Sequence, residues 1–267
     1  MNDSMDGVIF AAGLGTRLKP LTDRTPKALI EVGDTTLLER TIDRLAGAGC
    51  DRIVINVHHH AERIIEFLRA GPSTPGSPGA GDTMAASAPG SMPEWCGAKI
   101  VVSVEIDAPL ETGGGLKQAA GLLRRDRTIL VHNVDVISSV DLRRMIRTHE
   151  ESAALATLAV NRRPATRYLV FDDWGLCGRV DTRTGTEEWA RLPSEPQWRA
   201  GFTGVQALAP VIIDQLSETG RFSIMESYLR LAATGARILP HDVTGATWFD
   251  VGTPERLEVA RASLAGR

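Results

Sequence analysis

A cluster of glycines and cations near the N-terminus is the first part of the sequence that could do chemistry. The stretch Gly13–Arg17 reads Gly-Leu-Gly-Thr-Arg, and Thr25–Lys27 follows it as Thr-Pro-Lys. Glycine lets the backbone approach a ligand where side chains would collide, and successive N–H groups can form a concave anion site. Arg17 would add a planar guanidinium and Lys27 a point charge. The pattern predicts a loop that binds a polyphosphate.

Two common phosphate-binding loops do not fit this stretch. A Walker loop requires Gly-Lys-Ser/Thr after its last glycine, and the chain has no such run here. A dinucleotide fingerprint requires a third glycine where Leu18 stands, and an acidic residue about 20 residues further on. A lone Gly-x-Gly is most often a simple turn, so the prediction depends on the whole pattern with both cations.

Two aspartates each follow a short apolar run. Asp135 comes after the run Ile129–Asn133, and Asp250 comes after Trp248–Phe249, just before Thr253–Pro254. Ligands of open α/β sheets bind at the carboxyl ends of the strands, so both aspartates are candidates for a ligand site. The alternative is that either one merely caps the segment that follows it.

A second glycine run lies in the middle of the chain. Gly113–Gly115 follows Glu111 and Thr112 and precedes a helical pattern. Three glycines at a helix N-terminus would offer free N–H groups to an anion and would allow close packing against it. A flexible turn before the helix is the alternative interpretation.

Together these motifs resemble those of the sugar-1-phosphate nucleotidyltransferase family. The resemblance covers nearly all of the chain and rests on the glycine loop ending in Thr-Arg, the downstream Pro-Lys, an acid-Thr-Gly-Gly motif, and two aspartates in Asn-x-Asp and Asp-x-Gly-Thr-Pro contexts. One departure is Val134, which stands where the family usually has glycine between Asn133 and Asp135. A side chain there occupies a place where close ligand approach is common.

The resemblance implies a role for each matching residue. Magnesium would be held by Asp135 and Asp250, since Mg²⁺ takes one or two carboxylates and completes its shell with water and substrate phosphates. Arg17 and Lys27 would be the catalytic cations. The nucleotide is expected at Ala11, Ala12, Gly13, Gly15, Thr16, Arg17, Lys27, Asn56 and Gly113. The sugar phosphate is expected at Glu111, Thr112, Gly114, Asn133 and Gly204.

The implied reaction joins a nucleotide to a sugar 1-phosphate and releases pyrophosphate from a nucleoside triphosphate. Within the family the motifs look closest to uridylyltransferases that act on N-acetylmuramate 1-phosphate, so UTP with that acceptor or a similar hexose phosphate is expected. Three alternatives stay open: a mannose-1-phosphate guanylyltransferase, a cytidylyltransferase acting on an alcohol phosphate, and a non-catalytic pyrophosphorylase-like regulatory module.

Bulk composition limits the partners. The formal net charge is −3 at pH 7 and the chain has only three cysteines, which are far apart. This balance argues against nucleic acid as a partner, and the cysteines favour a reducing compartment. No apolar stretch approaches the roughly 20 residues that span a bilayer. We therefore expect a cytoplasmic protein without a membrane partner, either a monomer or a small homo-oligomer.

The elements that position these residues follow from hydrophobic periodicity. Apolar runs alternate with helical patterns up to residue 150, and short strands dominate afterwards. This order predicts a single α/β domain over 1–267 with a Rossmann-like, mixed, mostly parallel sheet and helices on both faces. Helices are predicted at 36–48, 61–69, 116–124, 139–149 (with Ser139 as its cap) and 254–264. Residues 71–98, rich in Gly, Pro, Ser and Ala, are predicted to be a flexible insertion.

Overall fold

The computed structural model describes residues 4–72 and 92–265. Most of the predicted insertion at 71–98 lies outside the described residues, so that hypothesis stays a prediction. Its last residues are described and pair with the sheet, because Glu94–Trp95 forms a short strand against the next one. The side chain of Trp95 is fully buried, and its indole Nε1 donates to the carbonyl of Leu68.

Strands and helices alternate through the first half of the described chain. They are β1 (Met5–Phe10), β2 (Glu31–Val32), β3 (Thr35–Thr36), α1 (Leu37–Ala48), β4 (Cys50–Val57), α2 (Ala61–Ala70), β5 (Glu94–Trp95), β6 (Ala98–Val104), α3 (Glu111–Ala119), β7 (Ile129–Asn133), β8 (Val136–Ser138) and α4 (Leu142–Ser152).

Strands dominate the second half. They are β9 (Ala156–Asn161), β10 (Arg167–Asp172), β11 (Gly175–Asp181), β12 (Thr186–Trp189) and β13 (Trp198–Leu208), followed by α5 (Ile224–Ala233), β14 (Ile238–Asp242), β15 (Trp248–Asp250) and α6 (Pro254–Ala265).

One large mixed sheet organises the molecule and confirms the predicted fold class. Its N-terminal part, in the order β7-β1-β4-β6, is parallel. The long strand β13 then pairs antiparallel with β7, β9 and β10, and so extends the sheet with the later strands. Because β1, β4 and β7 run in the same direction, the loops that follow them meet at one edge of the sheet.

Helices cover both faces of this sheet. Val8 and Ile9 are adjacent on β1 and fully buried, and they belong to different hydrophobic clusters. The cluster of Ile9 includes residues of α1, α2, α4 and α6, whereas that of Val8 includes residues of α3 and α5. Among the described residues, no helix is long and apolar enough to cross a membrane.

Three helix predictions need correction. The fourth helix begins at Leu142, and its cap is Asp141, whose side chain accepts from the backbone N–H of Arg144. The predicted Ser139 cap is wrong, since the hydroxyl of Ser139 instead accepts from the N–H of Thr247. Helix α3 begins at Glu111 rather than at residue 116 and ends at Ala119, so it contains the glycine run. The prediction also lacked α5.

Candidate active site

Two adjoining cavities open where β1, β4 and β7 end. The small cavity, of about 220 Å³, is lined by the loop after β1 and by Lys27, Asn56, Thr112 and Val134, among others. The large cavity, of about 1230 Å³, lies toward β9, β13 and β15. Glu111, Asn133 and Asp135 line both, so the cavities form one continuous site.

The loop after β1 owes its shape to glycine. Gly15 has φ 63°, and a Cβ there would lie 2.7 Å from Cγ2 of Thr22. The hydroxyl of Thr22 donates to the carbonyl of Gly15 at 2.8 Å, which holds the turn in place. A Cβ at Gly13 would meet open space, so glycine there leaves the backbone exposed toward a ligand. Together with Ala11 and Ala12, Gly13 lines the small cavity.

Lys27 and Asp135 form an ion pair in the floor of the site. The ammonium of Lys27 donates to Oδ2 of Asp135 at 2.5 Å, and the two side chains are 11% and 26% exposed. The partners come from the short 3-10 helix Lys27–Leu29 and from the end of β7. The structure thus joins one predicted cation to one predicted metal ligand.

Asp250 is brought beside Asp135 by strand pairing. β15 runs antiparallel to β8 with Asp250 opposite Val136, and the N–H of Val251 donates to the carbonyl of Asp135 at 2.9 Å. The carboxylate of Asp250 accepts from Nη1 of Arg256 at 2.6 Å. Each of the two acids is therefore paired with a cation of its own.

Arg17 reaches the same corner from the glycine loop. A Cβ at Gly252 would lie 2.9 Å from Nη2 of Arg17 and 2.8 Å from Oδ1 of Asp250. The guanidinium and the carboxylate therefore pack around a residue that only glycine can occupy without displacing them. Arg17, Asp135 and Asp250 all line the large cavity.

The donor set fits a magnesium ion that shares its coordination with substrate. Two carboxylates from neighbouring strand ends, Asp135 and Asp250, are each about a quarter exposed at one cavity wall. Within 4–72 and 92–265 no group of three or more His, Cys, Asp or Glu side chains could hold a metal. Two carboxylates suffice for Mg²⁺ when phosphate oxygens and water supply the remaining ligands.

Gly204 and Asn133 meet in the wall of the large cavity. The pairing of β13 with β9 is interrupted between Phe202 and Gln206, and Gly204 lies in this irregularity with φ 89°. A Cβ at Gly204 would lie 2.9 Å from Nδ2 of Asn133. Both residues line the cavity, and their predicted contact with a sugar stays a prediction.

The glycine run at the start of α3 does not present free N–H groups, and this expectation is wrong. The N–H groups of Gly113 and Gly114 both donate to the carbonyl of Phe222, at 3.0 and 3.2 Å. A Cβ at Gly113 would lie 2.3 Å from the ring of Phe222, and one at Gly114 would lie 2.5 Å from the carbonyl of Gly220. These two glycines allow α3 to pack against the segment before α5. Neither glycine lines either of these two cavities, whereas Glu111 lines both and Thr112 lines the small one.

Two other predicted positions lie deep in the small cavity. Asn56 is 1% exposed, and its Nδ2 has no hydrogen-bond partner among the described residues. Val134, the departure from the family pattern, is 5% exposed and belongs to the hydrophobic core. Its N–H donates to the carbonyl of Phe10, so the larger side chain is accommodated by core packing rather than by displacing the loop.

Several residues of the large cavity escaped prediction. Ser223, Met225 and Glu226 line it from α5, and a signal existed in the sequence, because Ser223 and Glu226 form a capping box. Arg163, Trp248 and Arg256 carry no local signal. The sequence also predicts that Trp174, Trp189 and Trp198 are packing residues, and this holds for Trp198, whose ring packs 5.2 Å from that of Phe171. It is wrong for Trp174, which is 74% exposed. Trp189 is 43% exposed, and part of its ring packs against Gly178.

Solved structures with the same architecture define the class of fold. A glucose-1-phosphate thymidylyltransferase candidate from Bacillus anthracis superposes with a TM-score of 0.74 at 19% identity, over 97% of this chain and 94% of that one. HddC from Yersinia pseudotuberculosis, complexed with GMP-PN, gives 0.70 at 21% identity, over 97% and 99%. The fold is that of the nucleotide-diphospho-sugar transferases.

The sequence matches establish the family. The Nucleotidyl transferase family model matches residues 6–182. N-acetylmuramate alpha-1-phosphate uridylyltransferase from Caulobacter vibrioides is 31% identical, over 97% of this chain and 96% of its own length. Mannose-1-phosphate guanyltransferase from Pichia angusta is 30% identical over 94% of this chain, which spans only 62% of that enzyme.

The chain therefore belongs to the Nucleotidyl transferase family. It is a sugar-1-phosphate nucleotidyltransferase, and enzymes of this family generally use a divalent metal ion.

Proposed function

We propose that the chain transfers UMP from UTP to N-acetylmuramate 1-phosphate or a similar hexose 1-phosphate, with Mg²⁺ as the metal. The observation that carries this choice is the match to the uridylyltransferase, which is 31% identical over 97% of this chain. The chain spans 61–62% of the length of two fungal guanyltransferases that it also matches. Their similar identity, 27–30%, keeps GTP with mannose 1-phosphate as the second candidate.

The acceptor needs no activating base. The second pKa of a phosphate monoester is about 6, so a sugar 1-phosphate is mostly dianionic at pH 7. One of its oxygens attacks the α-phosphorus of the triphosphate, the bond to the bridging oxygen breaks, and pyrophosphate leaves with that electron pair. The obstacle is repulsion between two anions, together with the charge that builds on the leaving group.

The residues of the site would reduce this repulsion by positioning the two substrates and by supplying positive charge. The loop Ala11–Gly15 places backbone groups along the triphosphate, and Arg17 and Lys27 neutralise it. Asp135 and Asp250 would hold Mg²⁺, which would supply positive charge to stabilise the phosphates during transfer. In this proposal Lys27 leaves Asp135 for a phosphate oxygen when the metal and the nucleotide arrive together.

A substrate matrix tests the proposal. The four common nucleoside triphosphates are each combined with N-acetylmuramate 1-phosphate, N-acetylglucosamine 1-phosphate, glucose 1-phosphate, mannose 1-phosphate and phosphocholine, and pyrophosphate release is measured. UTP with N-acetylmuramate 1-phosphate should give the highest kcat/KM. A maximum at GTP with mannose 1-phosphate would select the second candidate. A maximum at CTP with phosphocholine would make it a cytidylyltransferase, and no release from any pair would leave a regulatory module.

The setting of the enzyme is part of the same proposal. We propose a single catalytic domain over 1–267, a cytoplasmic location, and a monomer or small homo-oligomer. Light scattering of the full chain at several concentrations measures its mass, and fractionation of cells that express it measures its location.

A further inference from the structure

Two consecutive arginines after β9 differ in whether the guanidinium is paired with a carboxylate. Arg162 lies 4.5 Å from the ring centre of Trp198, and its Nε donates to the carboxylate of Asp242 at 2.9 Å. Arg163 lies 3.3 Å from the ring centre of Trp248. Its Nε is buried, and no carboxylate or other acceptor within the described residues pairs with its guanidinium.

The contrast extends to the other arginines of the large cavity. Most of them are already paired with acids: Arg167 and Arg183 with Asp181, Arg179 with Glu188, and Arg256 with Asp250. Within the described ranges, only Arg17 and Arg163 line this cavity without such a pair. Arg17 is already assigned to the triphosphate, which leaves Arg163 without a partner in the proposed reaction.

Arg163 is held in place rather than free to swing away. The backbone N–H of Arg163 donates to Oδ1 of Asn161, and the indole Nε1 of Trp248 donates to the carbonyl of Thr203 at 2.9 Å. The ring beneath the guanidinium is therefore fixed in the wall that also carries Gly204. Burial lowers the pKa of Arg163, and the charge of nearby Asp250 opposes that change.

A partly buried cation without a counter-ion is costly, and an anion that reaches it gains correspondingly. We propose that Arg163, stacked on Trp248, binds an anionic group of the acceptor sugar. The proposal rests on the proposed function, because it assumes that the acceptor occupies the large cavity. A guanidinium matches the two oxygens of a carboxylate or a phosphate with a pair of parallel hydrogen bonds.

Two groups of the acceptor have this chemistry. One is the phosphate that every sugar 1-phosphate carries on its anomeric carbon. The other is a carboxylate on a ring substituent, such as the lactyl ether of N-acetylmuramate. Acceptors that differ only in the carboxylate separate the two sources.

The experiment compares Arg163→Gln with the wild type at saturating UTP, using N-acetylmuramate 1-phosphate and N-acetylglucosamine 1-phosphate as acceptors. Losing a charged hydrogen bond should raise the acceptor KM about 10- to 100-fold while the KM for UTP stays unchanged. A rise with the muramate acceptor alone assigns Arg163 to the carboxylate, and an equal rise with both assigns it to the phosphate. An unchanged KM for both acceptors overturns the proposal.

Two further variants serve as controls. Arg162→Gln is the matched control, since it removes a neighbouring arginine that also stacks on a tryptophan but already has its acid; its acceptor KM should stay near the wild-type value. Arg163→Lys keeps the charge and loses the fork, so its KM should lie between those of wild type and Arg163→Gln. Melting temperatures verify that all three variants fold.

The outcomes also separate this proposal from the choice of substrate. If the wild type prefers another sugar 1-phosphate, the proposed function fails, and the three variants are then measured with that acceptor. A wrong substrate assignment appears as a different best acceptor for the wild type. A wrong role for Arg163 appears as wild-type kinetics of Arg163→Gln with whichever acceptor is best.

Discussion

The two sides of the active site are built in different ways. The phosphate side is built mainly from the loop Ala11–Arg17 and Lys27, which are close in sequence, and distant residues such as Asn56 and Asp135 complete it. The acceptor side combines Arg163, which follows β9, with residues from β10 to β13, from β15 and from the start of α5, which are far apart in the chain. The first depends on local backbone conformation, and the second depends on correct pairing of strands.

The two sides also differ in how their charges are balanced. Lys27 on the phosphate side already forms an ion pair with Asp135, in which Nζ and Oδ2 are 2.5 Å apart. Arg163 on the acceptor side stacks on the face of Trp248 and forms no ion pair among the described residues. A substrate must displace a partner on one side and supply one on the other. Substitutions on the two sides should therefore affect different kinetic constants.

The largest effect is expected on the phosphate side. Lys27→Ala removes the cation that neutralises the triphosphate, and Asp135→Ala removes a metal ligand, so each should lower kcat by about 10²-fold or more. Pyrophosphate release measures this. Lys19→Ala is the control, because Lys19 is 61% exposed and pairs with Asp23 at the surface. Near-normal turnover in both variants would show that the chemistry lies elsewhere.

A backbone substitution on the acceptor side should act mainly through the acceptor KM. Gly204→Ala places a Cβ 2.9 Å from Asn133 at φ 89°, which displaces the cavity wall. We expect destabilisation by about 1–3 kcal/mol, from the strained backbone, and a clear rise in the KM for the sugar phosphate. Thermal melting and initial rates measure the two effects. Gly245→Ala, where a Cβ meets open space, is the control and should change neither stability nor the acceptor KM. If Gly204→Ala raises the KM for UTP instead of that for the sugar phosphate, the two sides do not act separately.

Arg256 allows a smaller test at the point where the two sides meet. Arg256→Gln removes the cation that covers Asp250, so Mn²⁺, used as a probe without nucleotide, should bind more tightly. The side chain of Arg256 is 55% exposed, so solvent screens the pair and the gain should be only about two- to fivefold. Electron paramagnetic resonance of free Mn²⁺ measures the affinity. Weaker binding would mean that Arg256 orients Asp250 instead of shielding it.

The smallest effect concerns the helix that borders the acceptor. Ser223→Ala removes the capping box of α5, which should cost about 1 kcal/mol and lower Tm by about 2–4 °C. Differential scanning fluorimetry measures this. Ser217→Ala is the control, since Ser217 lies in the exposed loop before the helix. If α5 only borders the acceptor, the KM for UTP should not change in Ser223→Ala.

The residues predicted for the phosphate side lie together in the structure because their determinants are local, and their role in binding stays a prediction. Gly15 needs a positive φ, and Lys27 follows a fixed motif, so residue type and spacing carried the information. The same reasoning failed for Gly113 and Gly114. A glycine permits close approach, but its sequence does not say whether the neighbour is a ligand or the carbonyl of Phe222.

Other errors have the same non-local origin. Ser139 and Asp141 are both good caps, and the choice between them depends on the strand β15, which engages Ser139 through Thr247. Arg163 follows β9, which pairs with β13, and Trp248 lies on β15, which pairs with β8. The two residues meet only when these strands have paired. No spacing rule relates them. The fold class, in contrast, required only the alternation of strands and helices in the first half of the chain.

The antiparallel pair β8–β15 has a consequence for the order of events during synthesis. Asp135 emerges from the ribosome with the parallel core, but its neighbour Asp250 follows only after the whole antiparallel region has been made. The loop Ala11–Gly15 and Asp135 are therefore synthesised well before Asp250. In the proposed mechanism, which uses both acids, turnover begins only after β15 has paired with β8.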